Sequence, residues 1–159
     1  MYEHVVVALD GSPEAEAILP YVQELATKFG SRITLVHVNM SEVALVASTS
    51  TDAASGLAPA ITDPTPIIQA EHESTDAYLR QLAARVSAAG GQVEWVALEG
   101  SPSQQVADFA REHNASLIAL TTHGRAGLER ALFGSVADSI LRHTDCPVLM
   151  VRLHEPASS

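Results

Sequence analysis

The sequence predicts an α/β fold, a three-layer, Rossmann-like arrangement with helices on both faces of a five-stranded parallel sheet. Three observations carry this expectation. Apolar β-branched runs alternate with helical stripes along the 159 residues. The runs are continuous rather than alternating, as in strands covered on both faces. Glycine, serine or proline punctuates each passage from one kind of segment to the next. The resulting order, β-α-β-α-β-α-β-α-β, places helices on both faces once right-handed crossovers are imposed.

The first strand is Val5-Val-Val-Ala-Leu9, ending at Asp10-Gly-Ser-Pro13. Ser12 suits an N-cap and Pro13 the first helical position. Ile18, Tyr21, Val22, Leu25 and Phe29 then mark one helical face, and Gly30 supplies the stop. Pro20 inside that stretch demands a kink or a later helix start. Arg32–Asn39 reads as the second strand. The long Ala/Ser/Thr/Pro-rich segment from Met40 to Pro66 is either a flap or an insertion without a role. Within it, Glu42–Ala47 has the pattern of one or two helical turns.

A helix follows from Ile67 to about Ala89, with Leu79, Leu82, Ala83 and Val86 as its inward stripe and Gly90-Gly91 as its end. Gln92–Leu98 alternates and is more polar, so it belongs nearer a sheet edge. Gly100-Ser-Pro102 opens a helix through about His113, with Val106, Phe109 and Ala110 inward. Ser116–Leu120 is the fourth strand. A helix from Gly134, marked by Val136, Ile140 and Leu141, and a last strand, Pro147–Val151, complete a single domain over residues 1–153. Residues 154–159 form a tail.

Composition excludes several classes. A net charge of −10 disfavours duplex nucleic acid and anionic membrane surfaces as partners. No apolar stretch approaches the ~18 residues of a membrane-spanning helix, so no membrane insertion is expected. The N-terminus lacks a basic leader pattern and runs straight into a strand, and a single cysteine, Cys146, rules out an intramolecular disulfide. These features point to a cytoplasmic protein. Cys146, between Asp145 and Pro147, reads as a packed residue rather than a nucleophile.

The most informative stretch is Thr121-Thr-His-Gly124, nine further residues, then Gly134-Ser135. A glycine at a strand's C-terminal end lets amides approach a phosphate with no Cβ in the way. Gly-Ser at a helix start adds orphan amides, a hydroxyl and the positive end of the helix dipole. Together they describe a split phosphate cradle; the alternative is a βα turn and a helix cap with no ligand. Arg125 and Arg130 stand out inside this segment of an acidic chain, although solvated loop arginines would look the same. Parallel sheets bind ligands outside the strand C-termini where strand order reverses. If the first and fourth strands are neighbours, the crevice between Asp10-Gly11-Ser12 and Thr121–Gly124 is the site.

Val5–Ser12, Leu35-Val-His-Val38, Glu99-Gly-Ser-Pro102, Thr122–Val136 and Cys146–Val151, in this order, resemble the universal stress protein family over nearly the whole chain. The resemblance implies strand order 3-2-1-4-5, the adenine-nucleotide α-hydrolase-like fold, and homodimers paired through the last strand, Pro147–Val151. It also implies ATP binding where the signature Gly-x-x-Gly-x9-Gly-Ser/Thr is present. Gly124, Gly134 and Ser135 fall on its later places, whereas Thr121 replaces the first glycine. The threonine either occupies space a glycine leaves open or turns its hydroxyl to an oxygen of the ligand. By the same resemblance, Asp10 lies near the ribose or a cation and Val38 near the adenine. Gly124 and Arg125 approach the phosphates from one side, and Gly134, Ser135 and Val136 from the other. Asp10 equally suits a cap on the first helix. His123 meets ribose or phosphate, or only backbone. His37, on an apolar strand, reads as a core histidine.

No grouping with metal-ligand spacing, Gly-x-Ser-x-Gly elbow or Walker lysine appears. The sequence therefore predicts an adenine-nucleotide-binding regulatory module rather than an enzyme. Magnesium, if bound, would be held mainly by phosphates, with Asp10 assisting. The competing expectation is a nucleotide-free interaction protein acting through dimer and partner surfaces, and a third is a ligand such as cyclic AMP.

Overall fold

The computed structural model describes residues 1–39, 65–123 and 135–153. The expected tail and residues 40–64 of the expected flap, including the Glu42–Ala47 turns, lie outside these residues, whereas Thr65 and Pro66 already belong to the following helix. Five parallel strands form one sheet: β1 (His4–Leu9), β2 (Arg32–Asn39), β3 (Gln92–Glu99), β4 (Leu117–His123) and β5 (Val148–Leu153). Their order is β3-β2-β1-β4-β5, as the resemblance implied. The more polar β3 is one edge and β5 the other.

Alternation along β1 divides the core in two. Val5, Val7 and Leu9 face Ile18, from a 3-10 turn (Ala15–Ile18), and Val22, Leu79, Leu82 and Val86, from helices α1 (Leu19–Phe29) and α2 (Thr65–Ala88). Val6, Val36 and Ile118 face Val106, Ala110, Ala137 and Ile140, from α3 (Pro102–Glu112) and α4 (Ser135–His143). Burial of these branched side chains on both faces explains why the central strands read as uninterrupted apolar runs.

Several local expectations are corrected. The chain after Pro13 forms a 3-10 turn, Ala15–Ile18, before α1 begins at Leu19, so Pro20 stands in the first turn, where no amide partner is lost. This tighter turn shifts the helical phase. Leu19, Val22 and Ala26 point inward, while Tyr21 (52% exposed) and Phe29 (54%) do not. Phe29 instead packs edge-on against Tyr2, with ring centroids 5.2 Å apart. Gly30 ends the helix at φ 66°, and its amide bonds back to the Ala26 carbonyl. β4 runs three residues beyond the expected Leu120, because β5 pairs with it in register as far as His123 and Leu153. In α4 the inward pair is Ala137 and Ile140; Val136 and Leu141 are exposed.

α2 is the longest helix described, with 24 residues, and Thr75 pins it to the end of β2 by a 2.9 Å bond from Oγ1 to the Asn39 side-chain oxygen. At the opposite, amino-terminal pole, His4 is buried. Its Nε2 lies 2.8 Å from Thr34 Oγ1, and Nδ1 lies 3.1 Å from the Arg32 guanidinium and 3.3 Å from the His113 carbonyl. A guanidinium only donates and a carbonyl only accepts, so in the neutral ring Nδ1 bonds one of these two neighbours according to its tautomer. Burial is the main cause holding the His4 imidazole below its ordinary pKa; the His113 carbonyl opposes this and Arg32 adds to it.

Candidate functional site

A cavity of about 300 Å³ opens at the carboxyl ends of β1, β2 and β4. It sits where the sequence-based argument put it. β1 and β4 are adjacent, yet their crossovers leave in opposite directions, so no helix fills the crevice between them. Its wall combines the apolar residues Val36, Val38, Val106 and Ile140 with the polar residues Asp10, His37, Thr121, Thr122 and Ser135.

The Asp10-Gly11-Ser12 turn is organised by its own carboxylate. Asp10 Oδ1 accepts from the Ser12 amide at 2.9 Å and from the Ser12 hydroxyl at 2.5 Å. Ser12 Oγ in turn accepts from the Ala15 amide at 3.2 Å, capping the 3-10 turn. Asp10 thus shapes the helix entry and also lines the cavity. Gly11 has φ +82°, which favours glycine, and an ideal Cβ on it would stand 3.6 Å from His37 Cε1.

Of the other residues singled out, Val38, Thr121, Ser135 and Val136 all line the cavity. Thr121 belongs to β4, opposite Val151, and not to a loop. Ser135 is the first residue of α4, so the orphan amides of that helix open beside the cavity. Val136 is exposed on the cavity side rather than packed in the core. His123 ends β4, but its side chain lies outside the described set. Gly124, Arg125, Arg130 and Gly134 lie outside the described residues as well.

His37, expected to be a core histidine, donates its Nδ1 proton to the Leu9 carbonyl at 3.0 Å and is also among the residues that line the cavity. Nearby, the Tyr78 hydroxyl has its pKa pushed up to about 12, by burial first and then by Glu16, with Asp10 adding. It therefore stays neutral at any physiological pH.

The arrangement suits an elongated ligand with a flat apolar end and a hydroxyl-bearing, anionic end. Among the described residues no group of three or more His, Cys, Asp or Glu side chains gathers as a metal site. Cys146 donates its thiol to the Ala115 carbonyl at 3.3 Å, and burial raises its pKa, which suits packing and not nucleophilic chemistry. No described helix is long and apolar enough to cross a membrane.

Comparison with known proteins agrees with this architecture. Universal stress protein MJ0531 of Methanocaldococcus jannaschii is 29% identical over 96% of this chain and 83% of its own length. Universal stress protein Sll1388 of Synechocystis is 28% identical over 95% and 98%. The solved structure of hypothetical protein MJ0577 superposes with a TM-score of 0.77 at 20% identity, covering 98% of this chain and 99% of that one. A universal stress protein in complex with cAMP gives 0.65 at 21% identity, covering 95% and 97%. The Archaeoglobus fulgidus protein in complex with dAMP gives 0.60 at 23% identity, covering 94% and 97%. The universal stress protein family model matches residues 1–152, and the chain belongs to that family.

Proposed function

We propose that this chain is an adenine-nucleotide-binding regulatory module of the stress response, with ATP as its ligand. The observation that carries the reading is the cavity at the β1–β4 crevice, lined by apolar residues together with the first turn of α4. The apolar lining suits a purine ring. The α4 amides and Ser135 suit phosphate, with Gly124, Arg125 and Gly134 contributing from their places in the signature. The cAMP and dAMP complexes of relatives support an adenine ligand. Asp10 and the phosphates would hold any magnesium ion, which would supply charge neutralisation at the phosphate tail. No lining residue described pairs a nucleophile with a base, so the reading assigns binding and at most slow hydrolysis.

The reading extends to a cytoplasmic homodimer paired through β5. In support, β5 is a sheet edge whose Val148–Val151 are only half-buried. An exposed apolar edge is a template for a second strand. Leu149→Lys should then convert the dimer to a monomer in sedimentation equilibrium; an unchanged dimer would remove β5 from the interface.

Identification of the nucleotide released on denaturing the purified protein tests the ligand. ATP in near-stoichiometric amount is expected, together with a rise in melting temperature on adding millimolar ATP–Mg. An empty cavity with no thermal shift would favour a nucleotide-free interaction protein. Release of cyclic AMP, or its dominance in competition, would change the ligand but not the site.

A further inference from the structure

We infer that the Thr122 hydroxyl holds the nucleotide by donating a hydrogen bond to its first phosphate. This inference rests on the nucleotide reading of the cavity. It starts from the place where the sheet parts. The β1–β4 ladder ends at Val7–Ala119, whereas β1 stays paired with β2 as far as Leu9–His37 and β4 with β5 as far as His123–Leu153. Beyond that last rung, strand alternation sets two rows of side chains on the face covered by α3 and α4. Val36, Ala8 and Leu120 form the inner row, packed into the core of that face. Val38, Asp10 and Thr122 form the outer row and line the cavity too. Thr122 is only 5% exposed, and among the described residues its hydroxyl has no hydrogen-bond partner. It is not one of the wholly enclosed polar atoms, so what it opens on is the cavity it lines. A buried hydroxyl in this state gains most from a ligand that supplies its partner.

Across the outer row the chemistry changes in a fixed order: an apolar side chain on β2, a carboxylate on β1, a hydroxyl on β4. Neighbouring strands lie about 4.8 Å apart, so the row spans about 10 Å or more, the reach of a purine nucleoside with its first phosphate. The Asp10 carboxylate only accepts and repels phosphate, so it suits the donating hydroxyls of a sugar. The purine then falls to one side of Asp10 and the phosphate to the other. Phosphate belongs on the β4 side, because α4 follows β4 in the chain and opens on the cavity with Ser135 and its orphan amides. The purine, whose amino group donates and whose ring nitrogens accept, lies over Val38, two strands from Thr122. Phosphate oxygens only accept, and the Thr122 hydroxyl donates to them.

Titration calorimetry of adenosine, AMP and ATP against the full chain and its Thr122→Val and Thr122→Ser variants tests this. Valine keeps the branched shape and strand preference but deletes the hydroxyl, whereas serine keeps the hydroxyl. Thr122→Val should weaken AMP and ATP roughly tenfold or more, the scale of a charge-assisted bond, and adenosine by less than about twofold. Thr122→Ser should stay within about threefold of the native protein for all three. Without ligand, Thr122→Val should melt no lower than the native protein, since the hydroxyl has no partner to lose. A lower melting temperature, or a variant that does not fold, would make the hydroxyl structural and overturn the inference. Equal losses for adenosine and AMP, or no loss for either, would overturn the phosphate contact and leave the site standing. A native protein that binds none of the three would overturn the site and this contact with it.

Discussion

His4 and His37 sit on neighbouring central strands, at opposite ends of the same sheet, and differ in what their second nitrogen meets. Both nitrogens of His4 are engaged: one faces Thr34 and the other Arg32 and the His113 carbonyl. His37 spends one nitrogen on the Leu9 carbonyl, at the pole where the cavity opens. At the amino pole His4 is tied in on every side, with Ser116 also bonding its amide and carbonyl, although the neighbouring Ser31 Oγ and Arg32 Nε are buried without a partner among the described residues. The carboxyl pole is open because two crossovers part there. The bonds that a histidine on an apolar strand makes are thus set by groups elsewhere in the chain, which strand pattern alone does not supply.

The comparison can be broken from the open pole first. Ser135→Trp puts an indole across the start of α4, and nucleotide affinity should fall roughly a hundredfold, the scale of losing charge-assisted bonds to phosphate. The melting temperature without ligand should hardly move, since Ser135 is exposed. Calorimetry and thermal melting together check both halves.

At the amino pole the effect should reverse. His4→Leu leaves Thr34 and Arg32 facing an apolar side chain, at a cost of about 2 kcal/mol in urea unfolding. Nucleotide affinity should be unchanged. A loss of affinity with normal stability would show that the two poles are not independent.

The pH dependence of stability sharpens the same point. The folded-state pKa of His4 lies below the ordinary 6.5, so around and below that value the unfolded chain binds more protons than the native one. Its contribution should be complete above about pH 6.5 and decline as pH falls toward the lowered folded value. Urea midpoints measured from pH 7.5 to 5 should show this slope in the native protein and a shallower one in His4→Gln.

Thr121→Gly should have the smallest effect. It restores the glycine of the family signature, but within β4, where the lost side chain and added backbone freedom cost roughly 0.5–1 kcal/mol. The cavity exists with the threonine in its wall, so nucleotide affinity should stay within about threefold. A large gain would mean that the methyl obstructs the ligand.

Much of this was legible in the residues. Continuous runs such as Val5–Leu9 gave the buried strands, and the stripe Leu79, Leu82, Ala83 and Val86 gave the face of α2, because burial on one side imposes a period. The crevice between Asp10 and Thr121 followed from topology. What failed depended on phase or on partners. The 3-10 turn before α1 rotated Tyr21 and Phe29 out of the core. The true end of β4 was decided by its pairing with β5, and no local pattern reports that. The hydrogen bond of His37 depended on a carbonyl 28 residues away in the chain.

The pin between Thr75 and Asn39 has a mechanical consequence. Ten residues of α2, Thr65 to Ser74, precede it, a rod of about 15 Å at 1.5 Å per residue. The other half of the same rod is locked into the hydrophobic interior through Leu79, Leu82 and Val86. The ten-residue arm is itself held, by buried Ile68 and by His72 Nε2 3.2 Å from Glu99 Oε1, so one rod ties the ends of β2 and β3 together beside Val38 in the cavity wall.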